Sequence, residues 1–489
     1  MISVLHSPLF TAVFPDGHSE RVGLLELLTN AHLIADIKAN SCTGKLALLR
    51  LCIAFLSDVY RPADLNERAE LLDSGAFDAN RLLDYVAKCE ASGASFDLDD
   101  EKRPFMQAAY DARIDAKSEK PVAKILFDCP GGNNHIHLDH RYEDAHEVDT
   151  QTAFEAMLET YLFCPAGLSG ASNVNNTPPV YAIIHGPNLF ETLVLNMVSA
   201  DEIINIPYGE DEVMWLRNEP VVPGAKTAEM SFLKALTWQP RRLTLHWDTD
   251  GMVRRIHLQN GFNFQGNGLW KDPHVVFRKN KDGEWFSVKP ELGRELWRDV
   301  GTLISGKGVR STVPIQNIQS IMMDLPSVLD VELIGMISNQ EAILGRASER
   351  LRLPVQLFSG EDLAYEFRMA LSLSEAMNRA LENAVKQEFC HAQDKKKKSV
   401  IAQQASETFL HEMQGVLFGE YLNALLEGGP FSERSQRYLE SMWSVLDQSV
   451  LADIIERTGS DVASLKHQNA VRDRVRREYN KLKKGVESN

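Results

Sequence analysis

From Glu361 to the end of the chain, apolar residues recur at three- and four-residue spacing in runs near 361–390, 399–427, 432–457 and 461–484. Lys395–Lys398, Gly428-Gly429-Pro430 and Thr458-Gly459-Ser460 separate the runs. Amphipathic helices joined this closely bury their apolar stripes against one another, which predicts an antiparallel four-helix bundle. Before Glu361 the pattern is mixed. Alternation in Ile2–Phe14 with the turn Pro15-Asp16-Gly17 predicts a hairpin, and Leu24–His32 and Gly44–Leu56 have helical spacing. The 62–98 stretch is helical with a polar face, and Thr150–Phe163 returns to helical spacing. Val180–Ile184 reads as a strand, and Leu189–Val198 as a helix capped by Asn188. Leu243–Trp247 and Val253–Leu258 flank Asp248-Thr-Asp-Gly251, a strong hairpin signal, and a second hairpin surrounds Asn280–Gly283. The expected fold class is α+β: a large mixed N-terminal domain with β-hairpins and long loops, residues 1–358, followed by the four-helix bundle, residues 359–489. Pro354 and Gly360 punctuate the boundary.

Composition adds limits. A length of 489 residues with 44% apolar and 25% charged residues is ordinary for a globular protein of two or three domains. No apolar run is long enough to span a bilayer, and the N-terminus lacks the basic, then apolar pattern of a secretory leader. The six cysteines are scattered with no Cys-x-x-Cys pair, which favours a reduced, cytoplasmic setting. The net charge of −16 argues against indiscriminate nucleic-acid binding. Charge is screened over about 8 Å, however, so local basic groups can still act. Such groups are Arg241-Arg242, Arg254-Arg255, Lys395–Lys398 and the run from Arg472 to Lys484; alone, each reads first as a solvated face.

The most chemically loaded stretch is Cys129–His140, with His135, His137, Asp139 and His140 after a Gly/Asn-rich turn and His146 close behind. Its His-x-His-x-Asp-His spacing is similar to the metal signature of the metallo-β-lactamase superfamily, which defines one functional alternative, a metal-dependent hydrolase. That reading needs further ligands. His185 lies at a tolerable distance, but no bridging Gly-Asp motif follows, and His246, His257 and His274 sit in hairpins of another character. A polar surface loop holding histidines is the favoured account, with no metal and no cofactor. Gly301–Lys307 resembles a phosphate loop but is followed by Gly308 rather than Ser or Thr, so the magnesium-holding hydroxyl is missing. Ser169 lies in a small-residue loop and not in a nucleophile elbow. No catalytic set emerges.

Arg103-Pro-Phe-Met-Gln107, Gly186–Asn196, Trp238-Gln-Pro-Arg-Arg242, Asn267–His274 and Leu296-Trp-Arg-Asp299, in that order, resemble the CasA family, the large subunit of the type I-E CRISPR Cascade complex. The resemblance implies a non-enzymatic protein that recognises the protospacer-adjacent motif on double-stranded DNA, begins strand opening toward an R-loop, and presents a helicase-nuclease. Its partners would be the CRISPR guide RNA, the other Cascade subunits and target DNA, with no membrane involved. By position, Ser338–Arg346 is similar to the family's glutamine-wedge segment, with Gln340 the wedge and Asn339 its neighbour; the competing reading is that both residues cap a helix over 341–352. Ala166–Ala171 is similar to the family's glycine loop, which places Gly167, Ser169, Gly170 and Ala171 at the minor groove. Where the family carries a lysine finger this chain has Gly261, so either Lys271 substitutes or the preferred motif differs. The segment Gly131–His140 corresponds to the loop that docks on the guide RNA and a neighbouring subunit, through Gly132, Asn133, Asn134, His135, His137 and Leu138.

Overall fold

The computed structural model describes residues 1–129, 146–164, 174–175, 178–203, 211–217, 221–224, 226–227, 230–264, 270–304, 306, 308–322, 326–339, 342–358, 360–389 and 400–487. The chain divides into two compact units, Met1–Leu353 and Pro354–Asn489. The expected boundary lay after residue 358. The difference is the single 3-10 turn Val355–Phe358, which packs on the first helix of the second unit.

In the first unit the strands are β1 (Phe10–Val13), β2 (Ser19–Val22), β3 (Asp36–Lys38), β4 (Glu119–Pro121), β5 (Tyr181–His185), β6 (Lys226–Thr227), β7 (Arg241–Trp247), β8 (Val253–Asn260), β9 (Asn263–Phe264), β10 (Phe277–Lys279), β11 (Trp285–Ser287), β12 (Val309–Arg310), β13 (Val328–Asn339) and β14 (Ala342–Pro354). They form small sheets in the orders β2-β1-β3, β4-β8-β7, β14-β13-β5 and β11-β10-β12, plus a parallel β6–β9 pair. The helices between them are α1 (Leu24–Thr29), α2 (Cys42–Tyr60), α3 (Leu65–Asp73), α4 (Ala79–Ala91), α5 (Ala112–Asp115), α6 (Thr150–Phe163), α7 (Leu189–Asn196), α8 (Phe232–Leu236), α9 (Val313–Gln316) and α10 (Ile318–Ile321).

α2 is the axis of this unit. It is apolar on nearly all sides and packs against α6, α7, α8 and β13. A helix with that composition has to be covered all round. The Ser41 hydroxyl accepts from the Gly44 amide at 2.8 Å and starts it, a cap worth about 1 kcal/mol. Gly44 leaves room for the Glu155 side chain of α6, which a Cβ there would displace. α7 starts as the sequence predicts, with Asn188 accepting from the Glu191 amide at 2.9 Å. The expected β7–β8 hairpin is also present, turning through Gly251 at φ +79°.

β13 and β14 depart from the helix reading of 341–352. The run Ala342–Ser348 is made largely of good helix formers, but Glu349–Leu353 alternates, with Leu351 and Leu353 buried and Arg350 and Arg352 exposed. Period-two burial against β13 overrides local propensity. β13 also pairs antiparallel with β5, Asp330–Ile334 opposite His185–Tyr181.

In the second unit the helices are α11 (Glu361–Phe389), α12 (Val400–Gly415), α13 (Leu422–Glu427), α14 (Phe431–Val445), α15 (Leu451–Thr458) and α16 (Val462–Glu487). Wider π turns at Val416–Tyr421 and Leu446–Val450 join α12 to α13 and α14 to α15, so the elements make four continuous rods. Phe367, Met377, Phe409, Met413, Met442, Val471 and Val475 fill the space between them. Arg434 of α14 forks onto Glu366 of α11, with Nε at 3.1 Å from Oε2 and Nη2 at 2.8 Å from Oε1.

Candidate nucleic-acid interface

Tyr181, the first residue of β5, is the point on which the flanks of several expected contact segments converge. It is fully buried. Its ring lies over the Arg50 guanidinium, 5.1 Å from centroid to charge. Its hydroxyl accepts from the Asn175 amide at 3.1 Å. Across the sheet it faces Ile334 of β13.

Asn175 belongs to the chain that returns from the expected glycine loop. Gly167, Ser169, Gly170 and Ala171 themselves lie outside the described residues. The entry to that segment is Cys164, which ends α6 in a left-handed conformation at φ +34° with its amide on the Thr160 carbonyl. Asn175 also donates to Asp272 at 3.1 Å. Asp272 takes the Arg50 fork at 2.8 and 3.0 Å, both side chains being buried. The His274 ring completes the group. Its Nε2 meets the Asn196 carbonyl at 2.7 Å and so carries the proton, which leaves Nδ1 to accept from Arg50 at 2.9 Å. Burial, then the Arg50 charge, pull the His274 pKa down to about 4, so the ring is neutral at physiological pH. Breaking such a buried pair by removing one partner costs about 3–5 kcal/mol.

This network fixes the chain at Asp272, next to Lys271. Burial and the Arg310 charge lower the Lys271 pKa. Position 261 has no room for a side chain. A Cβ there would lie 2.6 Å from the Arg241 carbonyl carbon and 2.7 Å from the Gln239 oxygen. Close backbone packing therefore requires glycine at this position.

The β13–β14 hairpin is the second support. β5 covers β13 only as far as Ile334, so residues 335–339 continue beyond it by roughly 16 Å at strand rise. Asn339 is exposed at the end of β13, and Gln340 lies outside the described residues. The base of the hairpin is held by ion pairs. Glu332 meets His185 at 2.8 Å and Lys45 at 3.6 Å, and Ser348 donates to it at 2.5 Å. Burial opposes ionisation of Glu332, but these neighbours outweigh it and bring its pKa down to about 2. Arg350 pairs with Asp330 at 2.7 Å. Arg346 takes Glu159 of α6 at 2.9 Å and also reaches Asp128.

The docking residues Gly132, Asn133, Asn134, His135, His137 and Leu138, and with them Asp139 and His140, lie outside the described residues. The flanks of that segment meet: Cys129 Sγ is 3.4 Å from His146 Nδ1. Among the described residues no group of three potential ligands could hold a metal ion. The more distant histidines have other partners: His185 holds Glu332, His257 meets Ser118 at 3.2 Å, and His274 sits on Arg50. The basic pairs are likewise engaged. Arg242 is buried on Asp115 at 2.6 Å, Arg254 is ringed by Glu147, Asp248 and Asp250, and Arg255 pairs with Glu119. Among the described residues no helix is long and apolar enough to cross a membrane.

Sequence reading missed Arg50, Asp272, Tyr181 and Glu332. Their partners are far apart in the chain, 222 residues for Arg50 and Asp272, and no local spacing signals them.

The returning end of one expected loop and the residue next to Lys271 thus lie on one buried polar network, beside strand β13, which runs on past its pairing with β5. The family model of CRISPR-associated protein Cse1 matches residues 5–447. The structure of Thermus thermophilus CasA (Cse1) is similar at a TM-score of 0.78 and 20% identity, covering 98% of this chain and 100% of that one. Thermobifida fusca Cse1 is similar at 0.79 and 20% identity, covering 98% of each. A chain of a CRISPR RNA-guided surveillance complex is similar at 0.78 and 18% identity, covering 98% of this chain and 99% of that one. Comparison with curated proteins found no significant match. The chain belongs to the CRISPR-associated protein Cse1 (CasA) family.

Proposed function

We propose that this protein recognises the protospacer-adjacent motif on double-stranded target DNA, starts strand separation, and helps to recruit the helicase-nuclease that degrades the target. It acts in the cytoplasm, docked on the guide RNA and the other Cascade subunits through the 131–140 segment. The small-residue loop of Gly167, Ser169, Gly170 and Ala171 approaches the minor groove, where small side chains let backbone amides reach the base edges. Lys271 supplies the cation that Gly261 cannot. Gln340, with Asn339 beside it, enters the base stack: a planar amide stacks and hydrogen-bonds together, and the cost of unstacking is repaid by contacts to the opened strands.

The observation that carries this reading is the convergence on Tyr181 of the returning end of the small-residue loop, the network beside Lys271 and the strand leading to Asn339. The test is a mobility-shift series with the assembled complex and a library of duplexes randomised beside the target. A preferred motif should emerge only when this subunit is present, and Lys271→Ala should flatten the preference. Equal retention of all duplexes with and without the subunit would overturn the reading.

A further inference from the structure

Arg346 is one planar group that touches three segments, and each segment runs into a different contact element of the proposed function. Its Nε and Nη2 fork onto Glu159 at 2.9 and 3.3 Å. Its Nη1 reaches Asp128. Arg346 itself lies on β14, four residues after Ala342, where the strand leaves residues 340 and 341. Glu159 lies in the last turns of α6, which ends at Phe163 and passes through Cys164 into the small-residue loop. Asp128 stands just before the docking segment.

The exposures divide the contacts by role. The Glu159 side chain is 5% exposed, Arg346 14% and Asp128 74%. The Glu159 contact is therefore a fixed, largely dry anchor, and the Asp128 contact an outer arm in water. The Glu159 Oε1 that accepts from Arg346 Nε also accepts from the Thr43 and Ser41 hydroxyls at the start of α2, so the anchor is rooted in the central helix. The neighbouring Lys45 is committed to Asp36 at 2.6 Å. A guanidinium is suited to this place because its donors form a rigid fork that orients what it holds, and an ammonium has no such plane.

We infer that Arg346 is a positioning residue for DNA opening, locking the β13–β14 hairpin to α6 and to the start of the docking segment so that the hairpin tip, the small-residue loop and the guide-RNA contact keep one register. This inference rests on the proposed function and adds a residue outside the predicted contact set. It also distinguishes two uses of a buried ion pair. A pair that only stabilises the fold affects every step alike. A pair that sets register affects only the step that needs register.

The experiment uses assembled complexes carrying Arg346→Lys, which keeps the charge and removes the fork. Melting temperature and incorporation into the complex serve as controls. If Arg346→Lys does not assemble, the double variant Arg346→Gln/Glu159→Gln, which removes both charges, takes its place. R-loop formation is timed on an intact duplex and on a target pre-opened by mismatches beside the motif. The expected result is a loss of about fivefold or more on the intact duplex and none on the pre-opened target. In a Gln340→Ala background the further loss should be under about twofold, as for residues acting in one step. An equal loss on both targets, a full additional loss in the Gln340→Ala background, or no loss at all would overturn the inference. Failure of the underlying reading looks different: Gln340→Ala alone would then leave the intact duplex unaffected.

Discussion

The hairpins β7–β8 and β13–β14 are both pinned by an arginine fork on a carboxylate, and they end differently. In the first, Arg242 forks onto Asp115 and also donates to the carbonyls of Ala109 and Val221. Its far end is the turn Asp248–Gly251, where Arg254 satisfies Asp248 and Asp250. That tip is tied together by its own side chains. In the second, Arg346 forks onto Glu159, and the described positions toward the far end are split: Met336 and Ile343 pack on the core, while Asn339 is exposed, Leu344 is 47% exposed, and a Cβ on Gly345 would meet nothing within 4 Å. The same anchor thus serves a closed structural corner in one hairpin and, in the other, a strand pair whose outward face near Asn339 and Leu344 is exposed. Function has to be read from what the anchored element presents, since the anchors are alike.

The largest expected effect tests the closed hairpin. Arg242→Ala leaves Asp115 buried without its cation, along with two carbonyls, and should cost about 3–5 kcal/mol. Thermal unfolding of the isolated chain reads this directly. An unchanged melting temperature would mean that the first hairpin is not held by its base.

A smaller effect tests the ground beneath the second hairpin. Glu155 lies on α6 one turn before Glu159. Burial pushes its pKa up to about 7, the Asn40 amide opposes this, and the Glu159 charge adds to it. Glu155 therefore keeps its proton in the folded protein well above 4.5, the ordinary value at which the unfolded chain releases it. Its contribution to stability is complete below about pH 4.5 and is lost as pH rises through about 7, a difference of order 3 kcal/mol at most. Glu155→Gln, neutral at every pH, should flatten the decline in melting temperature between pH 5 and pH 8, by about 2–5 °C relative to the parent. Parallel curves for the two proteins would show that the carboxyl is already ionised below that range.

The two hairpins also show why sequence reading succeeded in one place and failed in another. Asp248-Thr-Asp-Gly251 announces its turn, because Gly251 takes the positive φ the turn needs. Gln340-Glu341 announces nothing, and the residues after it favour a helix on their own. Only pairing with β13, which itself pairs with β5 far back in the chain, makes them a strand. The helical unit was legible because its contacts follow a local period. The buried network was not, because Arg50 becomes informative only once Asp272 and His274 are beside it. Gly261 shows a third case. The residue was visible in the sequence as a departure, but the reason for it, backbone packing against Arg241 and Gln239, was not.

The measurement that bears most directly on the central claim is the rate of R-loop formation by complexes carrying Gln340→Ala. With assembly on the guide-RNA complex unchanged, the rate on an intact duplex should fall about tenfold, corresponding to about 1.4 kcal/mol. On a target already opened beside the motif it should match the parent. A parent-like rate on the intact duplex would contradict the account.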